Sequence, residues 1–155
     1  MSTDELRVSK IRDGTVIDHI SSGYALDVVR ILGITGKEHR VMTIAVNVPS
    51  KLWGVKDIVK IEGRVLSVDE VNRIALVAPY ASINVIRDFV VVEKFVVKPP
   101  SVVSGFIRCV NSVCITNSNE PVGSKFSVGS VDPLVLRCHY CACILEKNDV
   151  MSQMR

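Results

Sequence analysis

The stretch that decides how this chain folds is Cys109-Val-Asn-Ser-Val-Cys114, together with Cys138-His-Tyr-Cys141. Four residues separate the first two thiols, two residues separate the second two, and the insert between the pairs contains no cysteine. Zinc prefers four soft ligands at tetrahedral corners, and two short thiol loops joined by a hairpin-length insert supply them. The spacing therefore predicts one structural zinc ion per chain, with the ligands Cys109, Cys114, Cys138 and Cys141.

A disulfide pair or a set of buried free thiols is the alternative for these cysteines. The chain has five cysteines, and its opening residues, Met1 to Leu6, carry charges where a secretory segment needs an apolar run. We therefore expect a reducing, cytoplasmic setting, which favours metal over disulfides. Cys143 could be a spare ligand, but a closed structural site takes four, so we interpret it as a small core residue.

Length and composition indicate a globular protein with one ordinary domain or two small ones. The 155 residues are 48% hydrophobic, and Val and Ile dominate that fraction, which favours strands. The formal charge is +3. Four thiolates around one Zn²⁺ would lower it to about +1, so the overall charge gives little support to nucleic-acid binding.

The hydrophobic pattern of the first hundred residues alternates strands and helices. It predicts a hairpin, a helix capped by Ser21 or Ser22, two strands, a helix opened by the capping box Ser67 to Glu70 and ending near Pro79, and further strands. The predicted ranges are Leu6–Ile11, Thr15–Ile20, Gly23–Leu32, Val41–Val48, Val55–Leu66, Ser82–Arg87 and Phe89–Val97. This order is the split β-α-β pattern of ferredoxin-like sheets, so the predicted fold class is α+β.

Lys98-Pro-Pro-Ser-Val-Val-Ser-Gly105 interrupts the periodicity, because two prolines cannot continue a central strand. We therefore predict an N-terminal domain over residues 1–98 and a C-terminal domain over residues 99–155. The second has short strand candidates at Lys125–Val128 and Leu134–Arg137, typical of a small all-β zinc ribbon. A unit of this size rarely folds unaided, and structural zinc can contribute about 10 kcal/mol.

Enzyme signatures are scarce, since phosphate-binding loops, zinc-protease helices and nucleophile elbows are all missing. Four thiol ligands also favour a closed metal site, so we predict no catalytic residue. Polar residues nevertheless interrupt apolar strands at Asp18, His19, Lys60 and Lys94. They either alternate onto a solvated sheet face or converge on a phosphorylated ligand, and Asn84 is compatible with both interpretations.

Several of these stretches together resemble the regulatory chain of aspartate carbamoyltransferase, in an archaeal-like form, over essentially the whole length. Besides the cysteine spacing, the resemblance rests on Gly14-Thr-Val-Ile-Asp-His-Ile20, Asn47-Val-Pro-Ser50, Lys56-Asp-Ile-Val-Lys-Ile-Glu62, Ala78-Pro79, Asn84-Val-Ile86 and Asn111-Ser112. It implies a non-catalytic regulatory subunit of pyrimidine biosynthesis. It further implies that the first domain binds ATP, CTP and UTP, and that the zinc domain docks onto catalytic chains, with three regulatory dimers bridging two catalytic trimers.

The resemblance also implies which residues form the nucleotide site. Those along the base edge would be Val8, Lys10 and Ile11, those at the ribose and base Asp18 and Lys60, those facing the phosphates His19, Asn84 and Lys94, and those lining the pocket Ile86, Phe89 and Val91. The sequence departs from better-known bacterial chains at Lys10, Phe89 and Val113. The competing class is a zinc-ribbon nucleic-acid-binding module, which would need a basic cluster that the sequence does not show.

Overall fold

The computed structural model describes residues 10–154. Most of the predicted strand Leu6–Ile11, including the predicted site residue Val8, lies outside that range. Lys10 and Ile11, which are described, belong to no strand. The elements of the N-terminal part are β1 (Gly14–Ile20), α1 (Ala25–Ile31), β2 (Met42–Ser50), β3 (Gly54–Glu62), α2 (Val68–Val77), β4 (Ser82–Arg87) and β5 (Val90–Val96).

These strands form one antiparallel sheet in the order β2-β3-β1-β4-β5. Strand β1 lies in the middle, between β3 and β4, so the chain leaves it through α1 and returns to it through α2. This is the split β-α-β arrangement with β5 added at one edge. The predicted α+β class is confirmed.

Both helices pack on one face of this sheet because its strands alternate in polarity. Ile17, Val59 and Ile83 point to the helices and are buried, and they meet Val28 of α1 and Ile74 of α2 in one hydrophobic cluster. The opposite face carries no helix of the described chain, and it presents the polar residues singled out from the sequence together with apolar ones. The alternation thus leaves the outer face of the sheet uncovered by the helices of the described chain.

Helix α1 begins differently from the prediction. The N-cap residue is Tyr24, whose side chain makes no capping hydrogen bond, and neither Ser21 nor Ser22 caps the helix. Instead the buried carboxylate of Asp57 in β3 accepts hydrogen bonds from the backbone N–H groups of Gly23 (2.9 Å) and Ala25 (3.1 Å). A tertiary contact therefore satisfies the first N–H groups, and the cap prediction was wrong because it considered only nearby residues.

The capping box of α2 is confirmed. Ser67 accepts from the backbone N–H of Glu70 at 3.2 Å, and the Glu70 carboxylate accepts from the Ser67 N–H at 3.0 Å. Strand β2, in contrast, does not stop before Pro49 as predicted. It runs to Ser50, and Pro49 pairs with Val55. Proline is tolerated there because β2 is the edge strand of the sheet.

The C-terminal part is a second, smaller antiparallel sheet in the order β6-β7-β8-β9. Its elements are β6 (Val102–Ser104), a 3₁₀ turn (Ile115–Asn117), β7 (Lys125–Val131), β8 (Leu134–Cys138), β9 (Ile144–Glu146) and α3 (Lys147–Met151). Apart from the short terminal helix it is all-β. Its buried residues, among them Phe126, Leu136 and Leu145, continue the cluster formed under the first sheet, so the two units pack against each other.

Candidate metal centre and outer sheet face

Four cysteine sulfurs converge at one end of the C-terminal unit. Cys109 and Cys114 come from the loop after β6, Cys138 is the last residue of β8, and Cys141 lies in the turn that follows. All four Sγ atoms lie within 4.8 Å of one another, with 3.6 Å between Cys109 and Cys141 and 3.7 Å between Cys114 and Cys138. The hairpin of β7 and β8 thus brings the two thiol loops together as the spacing predicted.

The sulfur cluster fits a tetrahedral zinc ion. Zinc–sulfur bonds of about 2.3 Å place the corners of a tetrahedron about 3.8 Å apart, close to the two measured separations. Three of the four thiols are buried and the fourth is half-buried, so the centre is closed to substrate. Cys109, Cys114, Cys138 and Cys141 would hold the ion, whose role is to crosslink the two loops.

The surroundings of the thiols prepare part of the site for negative charge. The side-chain hydroxyl and the backbone N–H of Thr116 lower the pKa of Cys114. The backbone N–H of Cys143 and the side chain of Asn111 lower the pKa of Cys141 to about 6. Burial instead raises the pKa of Cys109 to about 12. Without a cation, then, a thiolate at Cys109 is strongly disfavoured, and a divalent metal supplies the missing compensation.

Neither Cys143 nor His139, which also belong to the second loop, joins the sulfur cluster. The Cys143 side chain packs against the hydrophobic core, whereas its backbone carbonyl accepts from the Cys138 N–H at 2.9 Å. The His139 ring packs edge-on against Tyr140, 5.3 Å between centroids. Backbone hydrogen bonds thus help to build the second loop, and the interpretation of Cys143 as a core residue agrees with its position.

The side chain of Asn111 is turned toward the loop and the sulfur cluster. Its Oδ1 accepts from the Val113 N–H at 3.2 Å, and its side chain supports the Cys141 thiolate. Val113, at the tip of the same loop, is 86% exposed. Asn111 thus shapes the loop, and Val113 is the side chain it presents.

On the outer face of the first sheet, three predicted site residues lie in one row across four strands. Val16 of β1 pairs with Lys60 on one side and with Asn84 on the other, and Asn84 pairs in turn with Lys94. Directly paired residues point to the same face. Strands lie about 4.8 Å apart, so the backbones of Lys60 and Lys94 are about 14 Å apart, and both side chains leave the sheet on the same face.

Asp18 and His19 stand beside this row because β1 bulges there. The register of β1 against β3 shifts between Ile17 and Ile20, and His19 adopts a left-handed backbone conformation with φ of 56°. The bulge directs the His19 ring to Ser82, with 3.0 Å between Nδ1 and Oγ. Asp18 forms a salt bridge with Lys56 at 2.9 Å. These groups are partly buried, which strengthens their electrostatic interactions.

Lys60 is held in a shielded position. Burial lowers its pKa, and the charge of Asp18 offsets part of this effect. The side chain of Asn84 is buried and donates to the Val16 carbonyl at 3.3 Å. Burial therefore disfavours the charged form of Lys60, and an anion above the row would favour it.

The apolar candidates lie further along the strands, on the side of the row opposite Asp18 and His19. Ile86 pairs with Val91 and with Gly14. Phe89 is exposed in the tight turn between β4 and β5, and its backbone N–H donates to the Arg12 carbonyl at 2.9 Å. That bond places the turn beside the segment that contains Lys10, which is exposed, and Ile11, which is buried. The described candidates thus form two groups, a polar one near His19 and an apolar one near Phe89.

Sequence reasoning missed Lys56, Ser82 and Trp53, which contact the polar group. Lys56 binds Asp18, Ser82 binds His19, and the Trp53 ring packs edge-on against His19 with 5.6 Å between centroids. The alternation of β3 gave a signal for Lys56, which shares a face with Lys60. The Trp53 contact had none, because it depends on the fold of the turn between β2 and β3.

Among residues 10–154, none of the helices has the length and apolar character needed to cross a membrane.

Comparison with known proteins gives consistent matches along nearly the whole chain. Residues 6–98 match the family model for the allosteric domain of the aspartate carbamoyltransferase regulatory chain, and residues 101–151 match the model for its metal binding domain. Proteins named aspartate carbamoyltransferase regulatory chain are similar throughout. The one from Thermofilum pendens is 52% identical over 96% of this chain and 94% of its own.

Two further relatives with the same name are equally similar. The protein from Pyrococcus abyssi is 53% identical over 97% of this chain and 99% of its own, and that from Haloarcula marismortui is 53% identical over 91% and 89%. The resemblance noted from the sequence is confirmed. The chain belongs to the aspartate carbamoyltransferase regulatory chain family and is a non-catalytic subunit with an allosteric domain and a metal-binding domain.

Proposed function

We propose that this chain is the subunit through which nucleotides control aspartate carbamoyltransferase in pyrimidine biosynthesis. ATP, CTP and UTP would bind the outer face of the first sheet, and the zinc unit would dock onto a catalytic chain. The observation that carries the proposal is the row formed by Lys60, Asn84 and Lys94 on the helix-free face, beside Asp18 and His19.

The polar group suits the ribose and phosphates of a nucleotide. Lys94 is exposed at the end of the row and can form charge-assisted hydrogen bonds with phosphate oxygens, together with Asn84 and His19. Asp18 is an acceptor for a ribose hydroxyl, and Lys60 lies between ribose and base. Binding a polyphosphate would also stabilise the charged form of Lys60, whose pKa burial lowers.

The apolar group suits the base. Ile86, Val91 and Phe89 would line the pocket, and the segment of Val8, Lys10 and Ile11 would run along the base edge. Because Ile11 is buried, its contribution would come from the backbone, which offers an N–H and a carbonyl without regard to the side chain. Backbone recognition at this edge would also tolerate the unusual Lys10.

Docking and self-association would use other surfaces. The tips of the zinc-bound loops expose Val110, Val113 and Ile115, which suit burial against a catalytic chain. In the first sheet, β2 and β5 are the open edges, and an open edge can pair with a second copy. We propose a regulatory dimer, three of which bridge two catalytic trimers, in the cytoplasm, where thiols stay reduced for zinc.

Two domains, residues 1–98 and 99–155, would divide these tasks, as the separate family matches to 6–98 and 101–151 support. An effector can shift the assembly only as far as it binds one quaternary state better than the other. A coupling of about 1–3 kcal/mol is ordinary for such systems. The interface between the two units has to transmit that difference.

The site assignment is tested by Lys94→Ala in the full-length, zinc-loaded chain. We expect ATP and CTP to bind several-fold more weakly by calorimetry because a phosphate partner is lost, while the zinc content stays at one ion per chain. Lys37→Ala is the matched control, since it removes the same charge from the exposed connection between α1 and β2. Equal nucleotide affinities in the two variants would contradict the assignment.

A further inference from the structure

A continuous line of contacts runs from His19, at the polar end of the sheet face, to the C-terminal unit. His19 packs edge-on against Trp53, with 5.6 Å between ring centroids, and Trp53 packs edge-on against Tyr80 at 6.1 Å. The Tyr80 hydroxyl donates to the Asp132 carboxylate at 3.0 Å. Three successive contacts thus connect β1 with the turn between β7 and β8.

Each member of the line sits where a small displacement can be passed on. His19 lies in the bulge of β1, Trp53 in the turn between β2 and β3, and Tyr80 just after α2. Trp53 and Tyr80 lie outside the helices and strands, and the bulge next to His19 interrupts the pairing of β1 with β3. A cleft of about 380 Å³ next to Trp53 and Tyr80 gives the rings room to move.

Other contacts hold the two units together independently of this line. Lys147 of α3 forms a salt bridge with Asp27 of α1 at 3.0 Å, and its ammonium lies 3.3 Å from the centre of the Tyr24 ring. Arg73 of α2 stacks on Phe106 at 4.4 Å. Breaking the contact between Tyr80 and Asp132 therefore leaves the interface in place, which makes the line open to a clean test.

We propose that Trp53 and Tyr80 are positioning residues that couple ligand binding at His19 to the position of the β7–β8 turn in the C-terminal unit. This inference rests on the proposed effector site. When phosphates bind to His19, its ring rotates and its contact with Ser82 changes. Trp53 then moves with the ring because of their edge-to-face contact. Tyr80, which packs on Trp53, changes its hydrogen bond to Asp132. Edge-to-face aromatic pairs prefer a defined geometry, so such a displacement is resisted and transmitted.

The chain contains one tryptophan, so a fluorine label on Trp53 reports on the middle of the line. In full-length, zinc-loaded chain carrying 5-fluorotryptophan, we expect CTP to shift the fluorine resonance. We also expect Asp132→Ala to shift it without nucleotide, because the Tyr80 ring loses its anchor. Asp132→Asn should restore the wild-type position, since the amide oxygen still accepts from the hydroxyl.

Two comparisons separate the line from general effects on the interface. In a Tyr80→Phe background, Asp132→Ala should cause no additional shift, as expected when the two groups act through one hydrogen bond. Asp27→Asn, which weakens the other tie between the units, should leave the resonance in place. A resonance that ignores Asp132→Ala, or that responds equally to Asp27→Asn, overturns the inference.

The functional arm uses the complex with the catalytic chain. We expect Tyr80→Phe to change CTP affinity by about twofold or less, yet to reduce the CTP-induced change in half-saturating aspartate by at least about half. Wild-type CTP affinity together with an undiminished response overturns the positioning role alone. CTP that fails to bind the wild-type chain overturns the proposed effector site, and the inference falls with it.

Discussion

Each of the two units of this chain is stabilised in a different way. Over the residues that the structure describes, the first has five strands and two helices around a cluster of buried aliphatic side chains, such as Ile17, Val59 and Ile74. The second has four strands, three of the buried residues in its core are thiols, and its long loop from Cys109 to Ser124 contains only a short 3₁₀ turn. The first unit is ordered by apolar burial, whereas the second needs a metal crosslink.

The difference shows why a regulatory chain can divide its tasks. Small domains bury too little apolar surface to offset the entropy of ordering the chain, and a structural zinc ion contributes about 10–16 kcal/mol. The sheet of the first unit is stabilised by the face that packs on α1 and α2. The loops of the second can expose apolar tips such as Val113, because the sulfur cluster holds them from below.

The largest expected effect follows from removing the metal. Cys114→Ser, or chelation of the wild-type protein, should abolish zinc binding and unfold residues 101–151, because the two thiol loops lose their crosslink. Hydrogen exchange measured along the chain should show the loss of protection in β7 and β8, while β1, β3 and β4 stay protected. The first unit should then still bind CTP. If the β7 and β8 amides stayed protected in metal-free protein, the second unit would not depend on the metal crosslink.

A smaller effect, confined to the first unit, is expected from Asp57→Ala. The buried Asp57 carboxylate accepts from the N–H groups of Gly23, Ala25 and Asn47 at 2.9–3.1 Å, so its loss orphans three donors. We expect about 3–5 kcal/mol less stability in urea unfolding, with unchanged zinc content. Asp69→Ala, whose side chain is 72% exposed, is the control and should cost about 0.5 kcal/mol or less.

The least effect is expected from Cys143→Ala. The backbone N–H of Cys143 supports the Cys141 thiolate, and that group survives the substitution, whereas the Cys143 sulfur is outside the cluster. Zinc content should remain at one ion per chain and stability should change by about 1 kcal/mol or less. Cys141→Ser is the matched comparison and should lose the metal. Zinc loss in Cys143→Ala would show that the fifth thiol is a ligand.

Local signals in the sequence were sufficient for much of this fold. The capping box at Ser67 and Glu70 needs only four residues, and the end of α1 at Gly33 needs a left-handed position, here with φ of 69°. The metal cluster also followed from spacing, since a hairpin between two thiol pairs leaves few other arrangements. In each case the residues that decide the structure are neighbours in the chain or are joined by a single hairpin.

The features that escaped prediction are contacts between distant segments. The Asp57 carboxylate accepts from the N–H of Ala25 at the start of α1, although 32 residues separate them in the chain. Trp53 contacts His19 only once the turn between β2 and β3 has formed. The row formed by Lys60, Asn84 and Lys94 likewise could not be predicted without the strand order. Alternation shows on which face of the sheet a residue lies, but not which strand lies beside it. Their roles in binding nucleotides stay a prediction.

We propose that a nucleotide bound to the first unit controls a catalytic chain bound to the second. The most direct test is to purify the zinc-loaded chain together with an aspartate carbamoyltransferase catalytic trimer and to measure aspartate saturation with and without CTP. We predict a stable complex whose half-saturating aspartate concentration changes with CTP, and no complex after zinc is removed. A complex that forms without zinc, or a saturation curve that CTP leaves unchanged, would contradict the account.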